Sequence, residues 1–338
     1  MREHLATLLD DFKKHPREIA IVRYQGVRRR ETTYGQLAHL ARRFAALLED
    51  RGISSGDRVL IWAENGAEWI AAFYGCMLRG VMAVPLDAFG STDFAARIVA
   101  DVKPKLAVGD AGLLARLDQN LGAPGRGSPR TDSRSWGEDL ASETWDHKLP
   151  TLAFEDWPVS LPNREACAVP GLSRDTPLQI LFTSGTTGDP KGIVHTHGNV
   201  LASIGPIEQA AQKYLRYEKP FHPLRFLHTL PLSHVFGQTM GLWISPIFAA
   251  EVHFDTRLVA PRLIESIKRE RISVIAAVPR VMALLKGHLE NTIPDLPNRV
   301  VASKGMKAWK RWWVFRDVHR TLGFKFWALI SGGGARAG

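Results

Sequence analysis

Residues 182–192 read Phe-Thr-Ser-Gly-Thr-Thr-Gly-Asp-Pro-Lys-Gly, the densest set of anion-binding groups in the chain. Three glycines, four hydroxyl side chains and one lysine fall within these eleven residues, and an apolar run, 178–182, leads into them. Glycine reaches backbone angles that other residues avoid, so successive N–H groups can turn toward one anion. The hydroxyls of Thr183, Ser184, Thr186 and Thr187 add donors, the glycines are Gly185, Gly188 and Gly192, and Lys191 adds a mobile positive charge. A polyphosphate suits these groups, and ATP with magnesium is the expected ligand. The order is not that of a Walker A loop, in which Gly-Lys-Ser/Thr opens a helix. Here Asp189 and Pro190 separate Gly188 from Lys191. Pro190 has no N–H and restrains Asp189, so the spacing predicts a loop between two strands. A plain Ser/Gly/Thr surface turn is the bland alternative, and it has no need of so ordered a set of donors.

Four other groups invite a chemical reading. His234 stands between a strand-like run and an apolar helical stretch, as a site residue or as a satisfied, half-buried histidine. His195 and His197 would share one face if their strand continued, which makes a metal pair, but no third ligand is evident. Gly332, Gly333 and Gly334 follow a strand, with the spacing Gly-x-Gly-x-x-x-Gly and no helix or ribose-binding acid after it, so the dinucleotide fingerprint is not met. Segment 304–325 sets Trp309, Trp312, Trp313, Phe315 and Phe324 among Lys307, Lys310, Arg311, Arg316, Arg320 and Lys325. Such a stretch either packs its aromatics on the domain with its charges in water, or lies on an anionic membrane surface.

A chain of 338 residues can bury a large core and hold two α/β units. Its two cysteines, Cys76 and Cys167, form no disulfide framework, and Cys76 sits in an apolar helical stretch as a core residue. This usage fits a reducing cytosol. No signal-peptide stretch opens the sequence, and the longest apolar runs, 69–78 and 240–250, are too short to cross a bilayer. A cytoplasmic protein is expected, with peripheral contact at the cytoplasmic membrane face through 304–325 as the variant. The net charge of +10 suits anionic partners: nucleotides, anionic lipids or nucleic acid. Nucleic acid is the weak option, because no zinc-finger spacing, RNA-binding aromatic signature or repeat is present.

Alternating β and α patterns position these groups and predict an α/β fold with mostly parallel strands. Thr33 with Gln36 makes a capping box for a helix running to about residue 50. Strands are expected at 58–62, 81–85 and 106–108, with helices at 69–79 and 94–102. Residues 119–174 read as an irregular connection between a first subdomain, 1–118, and a second, 175–338. Strands at 180–183 and 192–195 should flank the phosphate loop, with Asn199 capping the next helix. Further strands are expected at 225–229, 272–277 and 326–330, and helices at 237–250, 260–269 and 280–288.

The loop at 182–192 resembles the phosphate-binding signature of the adenylate-forming (AMP-binding) superfamily: acyl-CoA synthetases, luciferases and peptide-synthetase adenylation domains. Thr33-Tyr34-Gly35-Gln36-Leu37 resembles the family's early helix start, and Gly56-Asp57-Arg58-Val59 with Glu64-Asn65 its first strand and turn. The stretch 80–86 resembles the next strand, and Leu230 to Gly237 the substrate-side motif. Val278-Pro279-Arg280 and Ser331-Gly332-Gly333-Gly334-Ala335 follow in family order. The resemblance covers nearly the whole chain. It implies two stacked, mostly parallel sheets flanked by helices, as in the family's large N-terminal domain. It further implies nucleotide binding by Thr183, Ser184, Gly185, Thr186, Thr187, Gly188 and Lys191, with Gly332, Gly333 and Gly334 beside the adenine and the substrate carboxylate. Lys191 and His234 are the catalytic candidates; no metal ligand is assigned. In the family, a Thr-Glu segment, a ribose-binding Asp and a small C-terminal domain with a catalytic Lys come later. None is found here, so an N-terminal fragment, inactive alone, is expected.

The resemblance implies ATP, Mg2+ and a thiol co-substrate, CoA or the phosphopantetheine of a carrier protein. Amino-acid-activating relatives carry Phe-Asp at the substrate-side motif, whereas Ser233-His234 stands here with no carboxylate nearby in sequence. A long-chain or other hydrophobic acid is the expected substrate. Some long-chain ligases gate their tunnel with a Trp four residues after the His; Gln238 occupies that place, and Trp243 is a candidate substitute. The alternative is a non-catalytic module that binds nucleotide or lipid. A Rossmann oxidoreductase is disfavoured by the loop.

Overall fold

The computed structural model describes residues 2–121, 149–184, 190–218, 222–255 and 258–332. In chain order the strands among them are β1 (Ile19–Gln25), β2 (Arg28–Thr33), β3 (Arg58–Trp62), β4 (Met82–Leu86), β5 (Leu106–Gly109), β6 (Thr151–Ala153), β7 (Pro177–Ser184), β8 (Pro190–Thr196), β9 (Arg225–His228), β10 (Glu251–Phe254), β11 (Val274–Ala277) and β12 (Ala328–Ser331). They form two six-stranded sheets with helices between their strands, the mostly parallel α/β architecture expected.

The first compact unit comprises Met1–Glu18, Thr33–Gln209 and Pro231–His234. Its sheet has the order β6-β5-β3-β4-β7-β8. The first five strands pair in parallel, and β8 returns antiparallel to β7. Every residue of β3, β4 and β5 is buried, the continuous apolar pattern of parallel strands covered on both faces. Leu60, Trp62, Val84, Ile98, Val99, Leu117 and Ile180 share one core cluster. The helix Tyr34–Asp50 opens with the expected capping box: Gln36 N–H donates to Thr33 Oγ1 at 3.2 Å, and Thr33 N–H to Gln36 Oε1 at 2.8 Å. Cys76 is buried in the helix Ala67–Arg79, and burial pushes its thiol pKa up, as a core residue requires.

The second unit comprises Ile19–Thr32, Ala210–Leu230 and Val235–Gly338. Its sheet has the order β12-β11-β9-β10-β1-β2, with the strands from β12 to β1 parallel. Alternation along β9 and β11 divides its core. Leu227 and Ile275 pack with Leu263 and Ile267 of the helix Ala260–Arg269, while Phe226, Val274 and Ala276 pack with Met240 and Ile244. Charged groups here are paired. Arg225 Nε donates to Glu251 Oε2 at 2.8 Å, and Arg29 Nε to Glu270 Oε2 at 3.1 Å. Glu270 also accepts from Tyr24 and from Arg269, which fastens β1 and β2 to the end of that helix.

Three expectations change. Strands β7 and β8, assigned by sequence to a second subdomain at 175–338, join the first sheet through β4, and β1 and β2, from within 1–118, belong to the second. Pairing of buried strands, not order along the chain, sets the division. Within 119–174, residues 122–148 lie outside the described residues, and Thr151–Ala153 is not irregular but an edge strand on β5. The helix after β8 starts earlier than expected. Thr196 Oγ1 accepts from Asn199 N–H at 3.3 Å, and Asn199 Oδ1 accepts from Thr196 N–H at 3.0 Å. Asn199 therefore serves from the third helical position, and Thr196 is the cap.

Gly109 ends β5 where a Cβ would lie 1.9 Å from the Trp62 carbonyl oxygen, and backbone cannot yield as a side chain can. Gly112, in the next helix, has nothing within 4 Å of such an atom. Gly109→Ala is predicted to lower unfolding free energy by about 2–3 kcal/mol or more, while Gly112→Ala is neutral or slightly stabilising. Paired urea titrations check the difference.

Candidate active site

The phosphate-loop segment is the connection of the β7–β8 hairpin. In β7, Leu178, Gln179, Ile180 and Leu181 are all buried, so the strand is held by the sheet on both faces. In β8 burial alternates, as at a sheet edge, and Lys191 is exposed. The register pairs Phe182 with Gly192, Thr183 with Lys191 and Ser184 with Pro190. A Cβ on Gly192 would come within 2.9 Å of the Phe182 ring, so the motif's last glycine makes room for its first residue. The predicted nucleotide-binding Thr183 and Ser184 thus end β7, with Lys191 across from them. Gly185, Thr186, Thr187 and Gly188 lie outside the described residues.

Strand β4 runs parallel to β7, with Ala83 beside Gln179. Four residues on from that pair stand Asp87 and Thr183. Asp87 just past β4, Thr183 at the end of β7 and Lys191 opposite it on β8 thus make a row in strand order only, on three neighbouring strands or their extensions. The row lies at the carboxyl ends of β4 and β7, where open α/β sheets bind ligands. His234 joins it: its Nε2 stands 3.7 Å from Asp87 Oδ2, an ion-pair distance rather than a hydrogen bond. His234 beside it, with help from the Phe89 N–H at 3.0 Å, holds the Asp87 carboxyl below the usual carboxylate range, against the opposing effect of burial. The His234 side chain is 60% exposed, so it is not a satisfied core histidine. The two catalytic candidates, Lys191 and His234, thus belong to one unit and one sheet edge. Gly332 follows β12 in the other unit, with the Phe236 ring 3.0 Å from where its Cβ would lie. Gly333 and Gly334 lie outside the described residues.

Two residues at this site were not assigned to it by the sequence. Asp87 is the first, and its place just after an apolar parallel strand was the available signal. Asn65 Oδ1 accepts from the buried Leu232 N–H at 3.0 Å and so fixes the turn that presents His234. His228, fully buried on β9, has Nε2 2.9 Å from the Gly237 carbonyl oxygen, which secures the start of the following helix. That helix begins at Val235, ahead of the expected 237, and widens into a π-helical stretch over Thr239–Ile244. Pro246 follows and has no N–H to continue the regular ladder.

The paired-histidine metal reading fails. His197 starts a helix instead of continuing β8; it is buried, and its Nδ1 accepts the Leu5 N–H at 3.0 Å. Among the described residues no group of three or more His, Cys, Asp or Glu could hold a metal ion.

Burial holds His228 and His197 near a pKa of about 4, each below the ordinary 6.5. Their unfolded forms take up protons first as pH falls, so the stability they contribute is intact above pH 6.5 and is lost toward pH 4. His228→Gln is predicted to flatten the loss of urea midpoint between neutral pH and pH 5; an unchanged slope contradicts this. Asn65→Ala should cost about 1–3 kcal/mol by stranding the Leu232 N–H, read by the same titration at pH 7.

Comparison with known proteins matches the AMP-binding enzyme family over residues 8–330. The L-proline–[L-prolyl-carrier protein] ligase of Pseudomonas fluorescens is 27% identical over 294 residues, covering 85% of this chain and 53% of that protein. The long-chain-fatty-acid–CoA ligase FadD13 of Mycobacterium tuberculosis is 27% identical over 269 residues, covering 79% of this chain and 48% of that protein. The chain thus spans about half the length of the curated relatives it matches. Among solved structures, the N-terminal domain of FACL13 from Mycobacterium tuberculosis superposes with a TM-score of 0.69 at 22% identity, over 98% of this chain and 70% of that one. The o-succinylbenzoate CoA synthetase MenE of Bacillus subtilis, in complex with AMP, gives 0.61 at 24% identity, over 87% and 65%. These structural likenesses speak for the fold; the family match over nearly the whole sequence goes further, and this chain belongs to the AMP-binding enzymes, whose members include acid–CoA and acid–carrier-protein ligases.

Proposed function

We propose that this chain carries the nucleotide- and acid-binding part of an acid–thiol ligase that acts on a long-chain or other hydrophobic carboxylic acid in the cytoplasm. A carboxylate oxygen of the acid attacks the α-phosphorus of ATP and pyrophosphate leaves, giving an acyl-adenylate. The thiol of CoA, or of a carrier protein's phosphopantetheine, then attacks the acyl carbonyl carbon and AMP leaves. The acid is already ionised at neutral pH, so the first step needs no strong base. Lys191, the hairpin hydroxyls and backbone N–H groups stabilise charge on the transferring nucleotide, with Gly332, Gly333 and Gly334 bordering the adenine. Magnesium supplies further neutralisation of the phosphates. His234 faces the acid.

The observation that supports this reading is the row of His234, Asp87, Thr183 and Lys191 at one carboxyl edge of one sheet. A cation at its β8 end suits phosphate, and an imidazole at its β4 end suits a carboxylate. The hydrophobic acid is favoured by the motif's own residues, Ser233-His234 in place of Phe-Asp, and by the largely apolar sequence that follows them. One finding favours a second reading. Asp87 supplies a carboxylate beside His234 that is invisible in the local sequence, and such a group can pair with a substrate amine. An amine-bearing acid, of the class named for the proline ligase, is the alternative.

ATP–pyrophosphate exchange tests both readings. In the full-length ligase with magnesium, palmitate is expected to drive exchange and proline not to, whereas this chain alone is expected to give none. Lys191→Ala should slow it by about a hundredfold or more, and His234→Ala should chiefly raise the KM for the acid. Proline-driven exchange that Asp87→Asn abolishes would establish the second reading. Nucleotide binding with no exchange for any acid in the full-length protein would leave a binding module.

A further inference from the structure

The helices Ala308–Val314 and Arg316–Leu322 of the second unit bury none of their residues. Their aromatics do not pack on the domain, as the ordinary reading of the sequence would have it. Trp309 is 62% exposed, Trp313 59%, Phe324 70% and Trp327 65%. Trp313 and Phe324 join Trp312 in a surface cluster. Trp312 packs edge-on to Trp313 at 5.6 Å, stacks on His319 at 5.6 Å and lies 6.5 Å from Phe324. Exposed large apolar groups so concentrated mark an interaction surface.

The charge around the cluster identifies what it meets. Residues 296–327 hold eight Lys and Arg against one acid, Asp317, so they carry seven of the chain's ten net positive charges. Asp317 is already neutralised: Arg299 grips it with two hydrogen bonds of 2.6 and 2.8 Å, and that pair ties the helix Leu296–Ala302 to Arg316–Leu322. The Lys310 ammonium lies 5.5 Å from the Trp309 ring centroid, an arrangement that puts cation and indole at one depth. A protein partner would ask for a defined apolar groove; the short helices offer instead exposed indoles interleaved with cations. Indoles favour the headgroup region of a bilayer, and each cation near an anionic leaflet adds roughly 1 kcal/mol.

We propose that this face, centred on Trp309, Trp312 and Trp313, docks the protein peripherally on anionic phospholipid membranes. The contact proposed is interfacial, made by the exposed indoles and cations of two short helices; no helix among the described residues is long and apolar enough to cross a membrane. It goes beyond acid activation and does not depend on it, though a bilayer is where a hydrophobic acid partitions.

Vesicle co-sedimentation tests it with the whole chain. Phosphatidylcholine vesicles with about one quarter phosphatidylglycerol should bind the protein, and pure phosphatidylcholine vesicles should bind it at least about tenfold less. Raising salt to about 0.5 M should release it. Trp309→Ala, Trp312→Ala and Trp313→Ala combined should weaken binding at least about tenfold, as should Lys310→Glu with Arg311→Glu, whose exposed side chains leave the thermal midpoint unmoved. Equal binding to neutral and anionic vesicles, no binding to either, or undiminished binding by the triple variant would overturn the proposal. So would light scattering that shows a dimer, abolished by the triple variant, in a protein that ignores vesicles.

Discussion

The structure of the site depends on one departure from a parallel sheet. Strand β8 turns back antiparallel on β7 at the sheet's edge, and that reversal carries the phosphate-loop segment as a hairpin connection. A parallel crossover would have moved the chain away through a helix before it returned. The hairpin instead brings Lys191 level with Thr183, so the motif's cation is held in register with the carboxyl end of β7. Gly192 allows the Phe182 ring to lie across the pair, which couples the apolar anchor of the motif to its charged end. The buried β7 holds the hairpin rigidly on one side, while β8 remains solvated on the other. A rigid base with an open outer strand suits a group that must admit and release a nucleotide.

The second constraint is the handling of the turn that carries His234. Its backbone is pinned by Asn65, and the helix that follows is secured through His228. Both partners are buried, where a hydrogen bond is costly to lose. The imidazole of His234 itself is left exposed beside Asp87. The backbone is fixed and the imidazole left open, an economy seen again where the Arg299–Asp317 pair fixes two helices whose indoles face solvent.

Much of this was legible in the sequence, for identifiable reasons. The motif at 182–192 was readable because glycine, hydroxyl and lysine each have few alternative uses in that order. The capping box at Thr33 and the apolar strands β3, β4 and β5 were readable because their signals are local. What escaped was non-local. Strand β2 is strongly polar, and only pairing with β1 and the Arg29–Glu270 ion pair make it a strand. The assignment of β7 and β8 to the first sheet depends on their pairing with β4, some ninety residues earlier, and no periodicity reports that. Asp87 looked like a turn residue, and its place beside His234 required the fold. The histidine pair failed because the chain turned helical at His197, a change signalled by the hydroxyl of Thr196 together with Asn199 three residues on.

The central claim is that the β7–β8 hairpin holds the phosphates of ATP. Hydrogen–deuterium exchange of the backbone amides, with and without saturating Mg·ATP, tests it most directly. The account predicts slowed exchange concentrated over residues 182–192 on nucleotide addition, with the protection lost in Lys191→Ala. Saturable nucleotide binding that leaves those amides unprotected, or protects them equally in the Lys191→Ala protein, would contradict it.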